Sequence, residues 1–313
     1  MITIVCPVFN ESKFIAQLLE FCSKATPTEK EIIIIDGAST DDTCEIVKKY
    51  QNENSNIQLL HNPKRFVPFA LNMAIEKANG NVIIRLDAHT LYATDYFEKI
   101  IETFNQTSAS IVGGPMRIAI GTPFQNAVGY ATSTSFGIGN SNFHFENFEG
   151  FTDSVYLGAW KKEIFKTAGL FDETLKRNQD DEFHYRAKNL GFTIYQSPKI
   201  KSYYYPRNSY TALFSQYFQY GLYKPLVLKK IKSGFSIRHI IPTIFVLYLL
   251  CLPIIILLKW FVFLSPLVIY FLLNFIFAIR SKKNTLQVSL AYFILHISYG
   301  LGFIIGTIKL LFK

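Results

Sequence analysis

No aspartate or glutamate follows Glu182. Residues 1–182 carry 16 Lys and Arg against 23 Asp and Glu, a net charge of −7; residues 183–313 carry 16 Lys and Arg against none, a net of +16. The acid-free portion also holds three apolar runs, Ile240–Leu258, Phe261–Ile279 and Leu286–Ile308. Each approaches the roughly 20 residues an α-helix needs to cross a bilayer. A basic chain invites a nucleic-acid reading. Here the cations flank apolar runs, which is the pattern of a membrane protein, so no nucleic-acid partner is expected. Lys229, Lys230, Lys232 and Arg238 precede the first run, and Arg280, Lys282 and Lys283 follow the second. Both clusters then face the cytoplasm, with Lys259 and Trp260 at the tip of a tight hairpin. The third run, which includes His296 and Ser298, is expected to cross or to sit re-entrant, with crossing favoured.

The preceding portion alternates between strand and helix patterns. ITIVCPVFN (2–10), EIIIIDG (31–37), IQLLHN (57–62) and VIIRLDAH (82–89) read as strands. Between them, 11–25, 39–51 and 68–80 have helical spacing, with cap chemistry at Ser39 or Thr40 and a stop at Gly80. ASIVGGPM (109–116) and FTIYQSP (192–198) read as further strands; 155–173 reads as strand, turn, helix and turn, and 179–191 as a helix. Segment 120–150, rich in Gly, Ser and Asn, has no clear period and is expected to be a loop over a site. The alternation predicts an α/β domain with a mainly parallel sheet. Cys6, Cys22, Cys44 and Cys251 show no pairing pattern and are expected to be reduced thiols. The chain opens directly on a strand, so no signal peptide is expected.

In open α/β sheets, ligands bind beyond the carboxyl ends of the strands. The residues there are Pro7 to Glu11, Asp36 to Ser39, His61 to Arg65, and Asp87 to His89. Asp87 and His89 are two residues apart, so an extended chain would point both to one face. They form either a metal-binding pair or the turn that ends a strand.

Six segments carry a resemblance: IVCPVFNES (4–12), IIIIDGASTDDT (32–43), FALNMAI (69–75), IIRLDAH (83–89), VYLGAWKKEIFKTAGLFDE (155–173) and RNQDDEFHYR (177–186). In this order the chain resembles family 2 glycosyltransferases, which have the GT-A nucleotide-diphospho-sugar fold. It is most similar to the membrane-attached bacterial enzymes of succinoglycan-type exopolysaccharide synthesis. The resemblance implies a GT-A catalytic domain over 1–205, an amphipathic interfacial segment over 206–238, and a membrane domain over 239–313. It implies the bacterial inner membrane, with the catalytic domain at the cytoplasmic face.

It also implies roles. Pro7, Val8, Asn10, Glu11, Asp36, Ser39, Arg65, Asp87 and Ala88 would bind a nucleotide-sugar donor, with Asp36 accepting from the base or a ribose hydroxyl. Lys64 and Arg65 would reach phosphate, or remain solvated cations. Asp87 and His89 stand at the family's Asp-x-Asp position and would hold a divalent cation, Mg2+ or Mn2+; His89 replaces the second carboxylate. Asp180 aligns with the second residue of the family's Glu-Asp pair, whose first is Gln179 here, and would be the general base. Asp181 and Glu182 compete for that role. Asp153 is a contact for sugar hydroxyls or a plain loop acid, and Trp160 a sugar platform or core filler. Gln216, Gln219 and Tyr220 form a degraded Gln-x-x-Arg-Trp motif, with Arg207 as a substitute cation for acceptor or phosphate.

The implied activity is inverting transfer of a sugar, glucose from UDP-glucose first, onto a lipid-linked oligosaccharide. Membrane lipids and polysaccharide-assembly proteins would be partners. Two alternatives stand beside it: a polyprenyl-phosphate glycosyltransferase, and a non-catalytic scaffold that binds nucleotide sugar.

Overall fold

The protein is described here by a computed structural model covering residues 1–231 and 236–312. Lys232, one of the cations assigned to the cytoplasmic side, lies outside the described residues. The chain forms two compact units, Met1–Arg117 with Phe145–Tyr204, and Ile118–His144 with Tyr205–Lys313.

The first unit begins with β1 (Ile2–Val8), α1 (Ile15–Lys24), β2 (Lys30–Asp36), α2 (Thr43–Glu53), β3 (Ile57–His61), α3 (Val67–Lys77), β4 (Val82–Arg85) and β5 (Thr90–Tyr92). It continues with α4 (Tyr96–Gln106), β6 (Ile111–Gly114) and β7 (Met116–Ile118). After the excursion into the second unit, which contains α5 (Pro123–Ala131) and α6 (Ser135–Ile138), come β8 (Gly150–Phe151), β9 (Tyr156–Lys161), α7 (Ile164–Ala168), α8 (Gln179–Asn189), β10 (Ile194–Gln196) and β11 (Ser202–Tyr204).

Eight strands form one sheet in the order β3-β2-β1-β4-β9-β6-β10-β8. The strands from β3 to β4 pair in parallel, whereas β9 runs antiparallel to both β4 and β6. A second sheet has the order β5-β11-β7. The run Ile32–Ile35 explains why β2 lies inside the sheet and not at its edge. Ile32 and Ile34 enter one core with Leu18, Leu19 and Phe97, while Ile33 and Ile35 enter the opposite core with Leu71, Ile75 and Phe183. A strand covered on both faces needs a continuous apolar run, not alternation. Each fully buried isoleucine contributes about 1.5–3 kcal/mol of burial.

Two sequence expectations change here. β4 stops at Arg85, and the Thr90 N–H donates to the Asp87 carbonyl at 3.2 Å. Asp87 and His89 therefore sit on a turn, not on alternate positions of one strand. Segment 118–144 is not an irregular loop: it holds α5 and α6, and it leaves the span 1–205 to join the second unit. Thr122 and Gln125 make a reciprocal capping box at α5 with Pro123 in its first turn, and the Thr134 side chain accepts from Gly137 to cap α6. These caps satisfy backbone donors that a periodicity search does not see.

The second unit adds α9 (Tyr210–Ile231), α10 (Ile241–Leu257), α11 (Ser265–Arg280) and α12 (Thr285–Leu311). Three stretches, Ile237–Leu257, Phe261–Arg280 and Thr285–Leu311, are long and apolar enough to cross a membrane by length and composition. α12 is the axis: α9, α10, α11, α5 and α6 all pack on it. Tyr292 Oη lies 2.9 Å from Thr134 Oγ1, and His296 Nε2 donates to the Phe136 carbonyl at 2.8 Å. The Phe136 ring sits among Tyr270, Phe277, Tyr292 and His296.

The segment expected to rest on the membrane surface has a protein partner in α12. α9 runs beside α12 in the same direction, from Tyr210 near Gln287 to Pro225 near Gly306. Gly221, Gly302 and Gly306 let the backbones meet: a Cβ on Gly302 would collide with the Phe218 carbonyl, and one on Gly306 with the Leu222 carbonyl. Small residues four apart are the usual means of such close approach in membranes. Gly302→Leu is expected to force α9 off α12 and cost about 1–3 kcal/mol through overpacking. Thermal unfolding in detergent would report it as a lower midpoint, with exposed Leu257→Ala unchanged.

Candidate active site

The carboxyl ends of β1 and β2 are laced together by their own loops. Asn10 and Ala38 adopt positive φ, 55° and 62°. The Asn10 N–H donates to Ser39 Oγ at 2.9 Å, and the Thr40 N–H returns a bond to Asn10 Oδ1 at 2.8 Å. Glu11 N–H donates to Thr43 Oγ1 at 2.8 Å, and Ser12 N–H to Asp41 Oδ2 at 3.1 Å. Asp36 is buried at the end of β2, where its oxygens accept from Ala38 N–H at 3.0 Å and Ser39 N–H at 3.1 Å. His61 Nδ1 stands 3.5 Å away. Burial pushes the Asp36 carboxyl up, but hydrogen bonds from Ser39, Cys44 and His61 outweigh it and hold it below the ordinary range. Pro7 and Val8 close β1, and Ala88 is buried in the β4–β5 turn.

Arg65 is exposed, with φ 66°, and its guanidinium lies 5.8 Å from the Phe9 ring centroid. Lys64 is 3.9 Å from Glu173.

The residues after β4 converge on a cation that sequence reasoning passed over. Arg85 Nε and Nη2 donate to Asp87 Oδ1 at 3.2 and 3.1 Å. Burial works against the Arg85 charge, but Asp87 and Asp180 outweigh it and hold the guanidinium firmly protonated. Asp180 comes from the first turn of α8, 93 positions along the chain, and its Oδ1 accepts from the Asp181 N–H at 2.9 Å. Tyr92 fixes the turn from beneath: its hydroxyl accepts from the Asp87 N–H at 2.8 Å and donates to the Asp87 carbonyl at 3.1 Å. The available signal was a lone arginine inside an apolar strand, since arginine is almost never buried without a partner.

The structure also joins two residues expected in separate roles. His89 Nδ1 lies 2.8 Å from Glu11 Oε1. An ionised Glu11 can only accept, so Nδ1 is the donor; the neutral ring then carries its lone pair on Nε2, the form that ligates metal when a carboxylate orients the ring. Asp87 keeps Oδ2 clear of the Arg85 contacts. Among the described residues no group of three or more His, Cys, Asp or Glu could enclose a metal ion. The donor set therefore fits a cation held by one or two side chains and completed by phosphate and water, as Mg2+ commonly is.

Other candidates are held in contacts of their own. Glu182 is buried against Arg186 Nε at 2.7 Å, so it is no rival base. Trp160 fills the core among Phe165, Phe171 and Phe183 at 1% exposure, so it is not a sugar platform. Asp153 is a surface acid paired with Lys188. Arg207 Nε donates to Gln216 Oε1 at 3.3 Å, and Gln216 Nε2 to Tyr220 Oη at 3.1 Å, all within the second unit, to which Gln219 also belongs. His184, near Asp180 and Asp181, was also missed. Burial lowers its proton affinity against the pull of those acids, and Nδ1 lies 2.9 Å from Ser154 Oγ.

Arg85→Met would leave Asp87 without its hydrogen-bonded cation; a loss of about 3 kcal/mol is expected, read by urea unfolding with tryptophan fluorescence. Because the Asp36 carboxyl is depressed in the folded state, its contribution is complete above the unfolded value near ~4 and fades as pH falls through the folded one. Lowering the pH from about 5 to about 3 should therefore destabilise wild type more than Asp36→Asn, measured by thermal unfolding at each pH.

Residues 3–168 match the family described as Glycosyl transferase family 2. The Succinoglycan biosynthesis protein ExoA of Rhizobium meliloti (strain 1021) is 32% identical over 242 residues, spanning 76% of this chain and 73% of that protein. A Methanococcus voltae enzyme, the dolichyl N-acetyl-alpha-D-glucosaminyl phosphate 3-beta-D-2,3-diacetamido-2,3-dideoxy-beta-D-glucuronosyltransferase, is 31% identical over 322 aligned positions, 98% of this chain and 97% of its own. Among solved structures, the mannosyltransferase PcManGT from Pyrobaculum calidifontis, in complex with GDP-Man and Mn2+, superposes with a TM-score of 0.62 at 17% identity, covering 96% of this chain and 86% of that one. S. aureus TarS 1–349 superposes with a TM-score of 0.53 at 19% identity, covering 76% and 71%. With more than half of its length matched and a relative 32% identical across three quarters of it, this chain belongs to glycosyltransferase family 2 and has the GT-A fold.

Proposed function

We propose that the chain is an inverting glycosyltransferase that moves a sugar, glucose from UDP-glucose first, onto a lipid-linked oligosaccharide for exopolysaccharide or another surface glycan. The observation that carries this reading is Arg85, hydrogen-bonded to Asp87 and held protonated by the charges of Asp87 and Asp180. The names of the relatives support the context: one is a succinoglycan biosynthesis protein, and another acts on a dolichyl-linked sugar phosphate. TarS has been seen with UDP and with UDP-GlcNAc, which supports a UDP-linked donor here.

In this reading Asn10, Ser39 and Asp36 present the rim to the base and ribose, beside Pro7, Val8 and Ala88. Arg65 approaches the diphosphate from the β3–α3 loop. Asp180 takes the proton of the acceptor hydroxyl as its oxygen bonds to the anomeric carbon. The bond from that carbon to the diphosphate breaks with its electron pair leaving on the phosphate oxygen. Attack opposite the leaving group inverts the carbon. Arg85 keeps Asp87 and Asp180 oriented, which is positioning without a covalent intermediate. Asp87 and His89 would hold Mg2+ or Mn2+, which when bound neutralises charge on the departing diphosphate. Basic residues before α10 and after α11 support a cytoplasmic catalytic unit at the bacterial inner membrane.

Radiolabelled transfer from a panel of UDP- and GDP-sugars into membrane lipid tests this. Asp180→Asn should lower transfer by at least about 100-fold while nucleotide binding persists. EDTA should abolish transfer and Mn2+ or Mg2+ restore it. Nucleotide binding without transfer from any donor would sink the enzyme reading in favour of a scaffold.

A further inference from the structure

Three stretches of the second unit have the length and composition to cross a bilayer, but contacts tie the third differently from the first two. α10 and α11 pair as a hairpin. The Phe245 and Tyr270 rings stack at 4.1 Å, and the Tyr248 hydroxyl donates to the Phe263 carbonyl at 2.9 Å. The start of α10 and the end of α11 therefore share one end, the base, where Arg238, Arg280, Lys282 and Lys283 stand. Lys259 and Trp260 mark the other end, the tip. α12 has 27 residues, about 40 Å of helix. The hydrocarbon core it would have to cross is about 30 Å thick.

Both ends of α12 are tethered to the base. Only residues 281–284 separate its first turn from α11. Its far end is held through α9: Gly302 lies on Phe218 and Leu222, and Gly306 on Leu222 and Pro225, so the last turns of the two helices run level. α9 ends at Ile231, and the six chain steps from there to Ile237, at the head of the α10 stretch, reach at most about 21 Å. A helix rising through the core from the base would carry the end of α9 about 30 Å away, beyond that reach. Direct contacts agree. The Ser289 carbonyl of α12 accepts from Asn274 Nδ2 of α11 at 3.1 Å. Gly300, about 22 Å along the helix from Thr285, lies on the first turn of α10, where a Cβ would collide with the Pro242 carbonyl. A helix climbing beside the hairpin would by then be well on its way to the tip. α12 passes across the base, with Phe293 and His296 turned toward Phe271 and Tyr270 of α11.

The exposed apolar residues Leu286, Leu290, Ile308 and Leu311 recur at helical spacing on one face of α12, the face that carries Phe293. Gly302 and Gly306, the seats of α9, fall on the opposite face. The second unit also contains 12 Lys and Arg and not one Asp or Glu, which suits anionic headgroups. We propose that only α10 and α11 cross the bilayer, and that α12 lies in the lipid interface across the base of the hairpin. Its exposed apolar face rests on the acyl chains, and α9 lies along its other flank. The chain after α12 then stays on the side of the base.

The test uses the full chain with one cysteine added at a time: Lys259→Cys at the tip, Lys283→Cys at the base, and Phe312→Cys after α12. A membrane-impermeant maleimide is applied to intact and to permeabilised cells, and the labelled position is read by peptide mass. Phe312→Cys should react under the same condition as Lys283→Cys and opposite to Lys259→Cys. If it reacts together with Lys259→Cys, α12 crosses and the proposal falls. Nitroxide depth, measured in vesicles of phosphatidylcholine and phosphatidylglycerol, decides the matter even where Phe312→Cys does not react. Labels at Leu290, Ile297 and Ile308, which share the apolar face, should lie at similar depths, within about 10 Å of the headgroups. An Ile297 label about 15 Å deep, at the centre of the core, with Leu290 and Ile308 shallower, overturns the proposal. Membrane placement is read without turnover, so transfer can fail while this arrangement stands, and the reverse.

Discussion

A largely buried guanidinium at the carboxyl end of β4 is the constraint on which the first unit turns. Arg85 closes β4 with its side chain only 13% exposed, where an isolated charge would be costly. Only nearby carboxylates make it tolerable, and the fold supplies two from distant parts of the chain, Asp87 and Asp180. The demand runs both ways. Asp87 accepts two hydrogen bonds from the guanidinium and Asp180 adds its charge, so one cation links the end of β4 to the start of α8. Tyr92 completes the arrangement by holding both backbone groups of Asp87.

The second unit solves the opposite problem. It has positive charge and no acid, so it is held together by shape and by neutral hydrogen bonds. α12 carries the arrangement: glycines toward α9, aromatic rings toward α11, and His296 and Tyr292 toward the 118–144 excursion. Hydrogen bonds between neutral side chains and carbonyls are the kind an apolar medium favours.

Much of the fold was legible because its central strands announce themselves. A run such as Ile32–Ile35 has few alternatives to a strand covered on both faces. The rim residues followed from where such strands end. The failures were also physical. α5 and α6 are short, and their evidence lay in the Thr122–Gln125 box and the Thr134 cap, not in periodicity. β4 was drawn four residues too long because Asp87-Ala88-His89 alternates like a strand while its backbone turns. Trp160 was ambiguous because a large aromatic suits a core as well as a sugar, and only burial decides. Arg85 was in plain view beside Asp87, but the sequence gives no hint that Asp180 joins their field only after folding.

The path of the chain between its units has a consequence for inheritance and engineering. The polypeptide passes from one unit to the other after Arg117, after His144 and after Tyr204. The membrane helices are therefore not a detachable tail. A fragment cut at residue 205 would retain α5 and α6 but lose α12, laying bare Ala127, Val128, Ala131 and Phe136, whose partners lie on that helix and its neighbours. Exchange of membrane anchors between relatives must carry the 118–144 segment with them, so the two parts of this protein are bound to change together.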